Sequence, residues 1–227
     1  MDTPKYFNFP ITLLKGFLTD SKACLDNISY YSLYQHSISL DLGEELDKFK
    51  SSASFYEINL HDVEFAFKEG HRLYKDSHNA PKCGLNLDVF LEYRDNEKSE
   101  FEKVTLLGFL AIKSILGKKT YCKIDNKYWL SRMSGEAKSK EILDLDPKIQ
   151  KYSNEYQTKK IKTELKHNWN LKTYSRYTRG FYVSFKLDLE ALIFEAEKKR
   201  KATKVKQSKM EEKAILEKVL SRLNKTN

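Results

Sequence analysis

The chain has 227 residues, of which 40% are hydrophobic and 13% aromatic, with 8 Gly and 4 Pro, a composition that can bury enough apolar surface to fold and that excludes a disordered tail. No stretch approaches the roughly 20 apolar residues of a membrane-spanning helix, and the first residues lack a cationic flank before an apolar run, so we expect neither a membrane protein nor an exported one. The formal net charge of +9 favours anionic partners over cationic ones.

The cysteines indicate a reducing compartment. Cys24, Cys83 and Cys122 are far apart and form no C-x-x-C pair, a pattern that fits neither a disulfide framework nor a thiolate zinc site. We therefore expect a cytoplasmic, intracellular protein, associated with the nucleoid if its host is bacterial.

The charge is divided unevenly along the chain. Residues 1–100 contain 11 Lys and Arg against 17 Asp and Glu, a net charge of −6, whereas residues 101–227 contain 30 against 15, a net charge of +15. A strongly basic region attracts polyanions because each neutralised phosphate releases condensed counterions. Nucleic acid is therefore the leading partner for the second half, and a purely solubilising role of the lysines is the alternative.

Residues 1–98 are predicted to form an acidic, mostly helical module that serves as an interaction platform. Apolar residues at helical spacing predict helices over residues 9–18, 24–34 and 60–74, and Pro and Gly residues mark a loop over residues 76–84. The polar stretch over residues 92–100 lies where the charge changes sign. We place the module boundary there.

Residues 99–188 form the second predicted module. Gly residues and an Asp-Pro pair punctuate its helical patterns, and its last two runs are rich in β-branched and aromatic residues. The predicted elements are a buried helix over 104–116, a short strand over 120–124, a helix over 127–133, a helical turn after Asp146-Pro147, a basic helix over about 155–168, and hairpin strands over 171–177 and 181–187.

This order resembles that of winged helix-turn-helix DNA-binding proteins. The resemblance covers about residues 104–187 and includes helix stops at Gly117 and Gly135 and the Trp-Asn-Leu-Lys segment that leads into the hairpin. It implies a mainly α fold, in which a winged helix-turn-helix module of three helices and a β-hairpin wing lies between an N-terminal helical module and a long C-terminal helix. It also implies a recognition helix in the major groove and a wing contact beside it. The segment before the third helix is longer than the usual turn.

The basic helix presents two different faces. Ile161 and Leu165 are four residues apart and share a face that can dock on the first helix, while polar residues spaced by three and four occupy another. In the major groove, Lys can reach guanine acceptors and Thr can contact a thymine methyl group; a solvated lysine face is the simpler alternative. The predicted DNA-binding residues are Lys159, Lys162, Thr163 and Lys166 on the face, with Lys160 and His167 at its margins.

The hairpin supplies a second predicted contact. Arg176 and Arg179 flank a short turn, with Tyr177 between them, an arrangement that can enter a minor groove or clamp phosphates. Arginines are common in turns, so this prediction depends on the neighbouring lysine helix.

Residues 189–227 predict a basic C-terminal helix for docking or oligomerisation. Its Lys and Arg run from Lys198 to Lys209 could track DNA, act as a nuclear address or form a solvated face, and the solvated face is the favoured interpretation. An apolar stripe follows, which should dock on the same chain or on a second copy; a homodimer would match paired half-sites in DNA. The stripe consists of Ile215, Leu216, Val219, Leu220 and Leu223.

Signals for catalysis or metal binding are weak. The sequence contains no Gly-rich phosphate loop, G-x-S-x-G or H-E-x-x-H motif. No standard zinc spacing is met by His61, His71, His78 and Cys83. Scattered acidic residues could hold Mg²⁺ for a nuclease, but acidic residues in a negatively charged module need no such role. Examples are Asp62, Glu64 and Glu69. We expect no enzyme, no cofactor and no metal.

The sequence therefore predicts a double-stranded DNA-binding protein that acts as a transcriptional regulator or as a replication initiator of a mobile element or phage. The alternative is a protein-interaction factor, an inhibitor or adaptor, whose basic half binds an acidic partner protein. A nucleic-acid enzyme ranks third.

Overall fold

The computed structural model describes residues 4–41, 43–176 and 180–223, the last six of them by backbone alone. These residues form a mainly helical fold with a two-stranded and a three-stranded antiparallel sheet. No helix among them combines the length and apolar character that crossing a membrane requires. The helices are α1 (Ser21–Ser37), α2 (Glu45–Tyr56), α3 (Val63–Ser77), α4 (Leu87–Asp95), α5 (Glu100–Leu116), α6 (Asn126–Met133), α7 (Pro147–Gln150), α8 (Glu155–Asn168) and α9 (Leu189–Leu223). The strands are β1 (Tyr6–Pro10), β2 (Lys82–Asn86), β3 (Cys122–Ile124), β4 (Lys172–Tyr174) and β5 (Phe181–Ser184), and 3₁₀ turns cover Ile11–Leu14 and Ile142–Asp144.

β1 and β2 form a two-stranded sheet near the start of the chain. They pair in antiparallel register from Tyr6 opposite Asn86 to Pro10 opposite Lys82. Alternate side chains of β1 are buried, as in any half-buried strand. The helix predicted over residues 9–18 is therefore wrong, because apolar residues two apart fit a strand as well as part of a helix. The predicted loop over residues 76–84 is wrong at its end, where β2 begins.

α1 packs against β1, α2 and α3. Asp20 and Asp62 begin α1 and α3, and each carboxylate accepts a hydrogen bond at 2.9 Å from the amide three residues on. Gly70 lets α3 approach α1, because a Cβ there would lie 2.5 Å from the backbone oxygen of Tyr30. The sequence pattern predicts α1 and α3 but misses α2 and α4, which are shorter and so give a weaker periodic signal.

α5 connects the acidic and the basic regions of the chain. Ser99 and Glu102 form a capping box at its start, in which the Glu102 carboxylate accepts a hydrogen bond from Ser99 N–H at 2.9 Å. The polar stretch over residues 92–100 is thus the end of α4 followed by this cap. One continuous cluster of buried side chains runs from Phe7 to Val183, and α5 contacts β2 as well as α6 and α8.

Three helices meet at Gly108 on α5. A Cβ at this position would lie 3.1 Å from Ile161, 3.2 Å from Trp129 and 3.4 Å from Leu165. The Trp129 indole N–H donates a hydrogen bond to the Gly108 carbonyl oxygen at 3.0 Å, and the three neighbouring side chains are completely buried. The missing side chain therefore lets α6 and α8 approach α5 to contact distance.

The long segment between α6 and α8 folds back on the N-terminal region. Leu145 and Ile149 are buried, and Lys148 Nζ donates a hydrogen bond to the Leu18 carbonyl oxygen at 2.7 Å. The segment is therefore a packed insert rather than a simple turn.

The second sheet has the strand order β3, β5, β4, with both pairs antiparallel. Ile124 lies opposite Phe181, and Tyr174 lies opposite Tyr182. The predicted short strand and hairpin are confirmed. α9 then packs on β4 and β5, with Leu192 and Ala196 on its buried side.

Candidate nucleic-acid interface

α8 packs on α5 with one face and turns the other to solvent. Asn154 begins the helix by accepting a hydrogen bond from Gln157 N–H at 2.9 Å. Ile161 and Leu165 are completely buried, as their spacing predicts. This packing determines which residues of α8 can meet a partner.

The opposite face of α8 carries most of the predicted DNA-binding residues. Its members recur every three or four positions, so they line one side of the helix over about three turns. The exposed residues are Lys159, Lys160, Thr163, Lys166 and His167. Lys160 leans to the side, with Nζ 4.4 Å from the centroid of the Phe101 ring. Lys159, Thr163, Lys166 and His167 remain on this face, and we call them the cationic stripe.

Lys162 is placed differently from the other lysines. Its Nζ lies 3.8 Å from the centroid of the Phe181 ring and 5.4 Å from that of Trp129, and it donates a hydrogen bond to Asn126 Oδ1 at 2.8 Å. Burial lowers the pKa of Lys162 to about 8, and the positive charge of Lys166 acts in the same direction. Lys162 is thus a half-buried packing residue at the edge of the exposed face, not a freely projecting cation.

The Lys162 contact joins α8 to the hairpin. Phe181 is the first residue of β5, and Asn126 is the first residue of α6. Lys123 on β3 is exposed next to Gly180, with its Cε 3.3 Å from the position a Cβ of Gly180 would take. The exposed face of α8 and the hairpin therefore form one surface, which we call the α8–hairpin surface and define by Tyr156, Lys159, Thr163, Lys166, Asn126, Lys123 and Arg176.

The hairpin tip is described in part. Tyr177 and Arg179 lie outside the described residues. The Arg176 guanidinium lies 3.5 Å from the carboxylate of Glu197 on α9, which neutralises part of its charge. Gly180 has φ 98°, and a Cβ there would lie 2.7 Å from the Ile124 carbonyl oxygen. Both the backbone conformation and the close approach require glycine at this position.

Three members of this surface are absent from the sequence-based prediction. Tyr156 is 72% exposed and lies three residues before Lys159, so helical spacing alone could have placed it on the same face. Asn126 and Lys123 are exposed, but their proximity to α8 and Gly180 comes from tertiary packing. No local pattern in the sequence indicates it.

Three of the residues considered as zinc ligands, His71, His78 and Cys83, are engaged in packing. His71 stacks on Tyr34 with ring centroids 5.2 Å apart, and His78 stacks on Tyr74 at 5.3 Å. Cys83 is buried in β2, where burial raises the pKa of its thiol. Within the described ranges, no three His, Cys, Asp or Glu side chains are grouped so that they could hold a metal ion.

The burial of Lys162 predicts a pH-dependent stability effect. Because its folded-state pKa of about 8 lies below the ordinary value of 10.5, burying the charged form destabilises the fold below about pH 8, and this penalty fades as the pH rises towards 10.5. We expect Lys162→Met, which keeps the packing on both rings without the charge, to raise the free energy of unfolding at about pH 7 and to lose that advantage near pH 10.

Urea unfolding at the two pH values measures this effect. Lys160→Met, at an exposed position of the same helix, is the control and should show little pH-dependent difference. An equal stability gain from Lys162→Met at both pH values would show that burial of the charge carries no penalty.

Comparisons of the chain with protein-family models, with curated proteins and with solved structures find no significant match. No family is therefore assigned to it, and the functional inference depends on the side chains of α8, the hairpin and α9.

Proposed function

We propose that the chain binds double-stranded DNA through the α8–hairpin surface, in the manner of a winged helix-turn-helix protein. The observation that carries the proposal is the exposed cationic stripe of α8, which Lys162 joins to the hairpin. A regulatory or replication-initiating role stays a prediction.

The arrangement of the elements supports this proposal. α5, α6 and α8 pack around Gly108, and β3 pairs with β5 of the hairpin, so the hairpin stands beside the third helix of the group. In winged helix-turn-helix proteins the third helix enters the major groove and neighbouring elements contact the backbone. A helix about 10 to 12 Å across fits a major groove about 12 Å wide.

The side chains of the stripe have the chemistry that DNA contacts need. Lys159 and Lys166 can meet phosphates or the acceptors of guanine, and Thr163 can contact a thymine methyl group. The hydroxyl of Tyr156 can donate a hydrogen bond to a phosphate. Each residue is exposed, so none has to leave the core to bind.

A protein-interaction role of the basic half is the second candidate. A cationic helix face can also dock on an acidic protein, and the tertiary structure makes the same face available for that purpose. The two candidates differ in their response to DNA, because only the first requires phosphate contacts by α8.

We also propose a second copy of the chain as a partner. Ile215 and Leu216 on α9 are 61% and 62% exposed, so the part of the chain that the structure describes does not cover them, and we expect a second copy to do so. The side chains of Val219, Leu220 and Leu223 lie outside what the structure describes.

We expect Ile215→Asp with Leu216→Asp to convert a dimer into a single chain in sedimentation equilibrium. A single-chain mass for the unmodified protein at micromolar concentration would contradict the dimer.

Removing two charges from the stripe tests the DNA-binding proposal. Lys159→Gln with Lys166→Gln should weaken binding to a labelled random-sequence duplex by about 10- to 100-fold at moderate salt, because each lost phosphate contact forfeits the release of about one counterion. Fluorescence anisotropy measures the affinity. The melting temperature should stay unchanged, since both side chains are exposed.

Lys68→Gln with Lys75→Gln is the matched control. These exposed lysines lie on α3, in the acidic region, and their removal changes the net charge by the same amount. If both double variants weakened binding equally, only the overall charge would matter. If neither did, α8 would not be the DNA-binding element.

A further inference from the structure

The Glu197 carboxylate on α9 adds a polar contact with the hairpin to the packing of Leu192 and Ala196. The Tyr174 hydroxyl donates a hydrogen bond to Glu197 at 2.7 Å, and Arg176 and Arg200 pair with the same carboxylate at 3.5 and 3.0 Å. The hydrogen bond from Tyr174 lowers the pKa of Glu197, with support from the neighbouring arginines, so the carboxylate stays charged. The contacts with Tyr174 and Arg176 tie α9 to the C-terminal end of β4.

The direction of α9 follows from where its contacts lie. Lys172 pairs with Ser184 at the end of the hairpin away from its loop, and α9 begins at Leu189, shortly after Ser184. From Leu189 to Glu197 a helix advances about 12 Å, and from Lys172 to Arg176 an extended chain advances about 13 Å. Because Glu197 meets Arg176, the two segments run side by side towards Arg176. The rest of α9 continues beyond this contact.

Residues 198–209 form this continuation, and we call them the α9 basic segment. They contain seven Lys and Arg and no Asp or Glu, and all twelve are exposed. A helix of this length spans about 18 Å, which equals about five base pairs of duplex.

The charge pattern of the α9 basic segment does not stabilise the helix itself. Like charges three or four residues apart destabilise a helix, and the segment places Arg200 next to Lys204 and Lys206 next to Lys209. The following turns differ, because Glu211 and Glu212 accept hydrogen bonds at 3.2 Å from Gln207 and Ser208. Phosphate contacts would relieve the repulsion within the segment.

We propose that the α9 basic segment is a second DNA contact, which follows the phosphate backbone beyond the hairpin. This proposal rests on the proposed DNA binding by the α8–hairpin surface and extends its footprint. Arg200 is held by Glu197, so the lysines further along α9 make the contact. The contact has no base readout and adds affinity to any sequence.

Neutralising those lysines tests the second contact in the full-length chain. The variant carries Lys201→Gln, Lys204→Gln, Lys206→Gln and Lys209→Gln, and its matched control carries Lys22→Gln, Lys50→Gln, Lys68→Gln and Lys75→Gln on exposed positions of α1, α2 and α3. Gln keeps a good helix propensity, and circular dichroism checks that the helix content is retained. Titration of a long random-sequence duplex at several salt concentrations gives the salt slope and the number of base pairs covered by each chain.

We expect the α9 variant to reduce the slope of log K against log salt by about 2 to 4 in magnitude and to shorten the covered length by about five base pairs, whereas the control changes neither. An α9 variant with unaltered slope and covered length, in a protein whose affinity still depends on Lys159 and Lys166, would overturn the second contact alone. Absence of duplex binding by the unmodified chain would overturn the proposed function and this inference together.

Discussion

The absence of a side chain at Gly108 is the constraint on which the candidate interface depends. Ile161, Leu165 and Trp129 all approach the position that a Cβ would occupy there, so the side chains of α6 and α8 pack directly on the backbone of α5. Once Ile161 and Leu165 are buried against α5, the rotation of α8 about its own axis is determined. The cationic stripe faces solvent as a consequence of that packing.

The cations of the interface are held in three different ways, and each has a different electrostatic cost. Lys159 and Lys166 are exposed to solvent. Lys162 is held between aromatic rings and an amide oxygen, where burial lowers its pKa. Arg176 shares the carboxylate of Glu197 with Tyr174 on β4 and Arg200 on α9. The solvated lysines can exchange water for phosphate at low cost, while the other two cations mainly maintain the relation between α8, the hairpin and α9.

The order of elements from α5 to β5 can be predicted because each element ends at residues with strong local preferences, such as Gly117 and Gly180. The pairing of β1 with β2 cannot be predicted in this way. Phe9 and Cys83 are 74 residues apart, and no local pattern specifies which strand pairs with β1. Helical spacing puts Lys162 on the same face as Lys159 and Lys166, but tertiary packing brings the Phe181 ring beneath its ammonium group. The direction of α9 depends on the same kind of long-range contact.

Binding of the unmodified chain to a random-sequence duplex, measured over a series of salt concentrations, tests the central claim most directly. We predict measurable binding at about 50 mM salt and a linear fall of log K against log salt with a slope of about −3 or steeper, because several lysines would release counterions on contact with phosphate. Absence of binding at about 50 mM salt, or binding that hardly changes with salt, would contradict DNA recognition by the α8–hairpin surface.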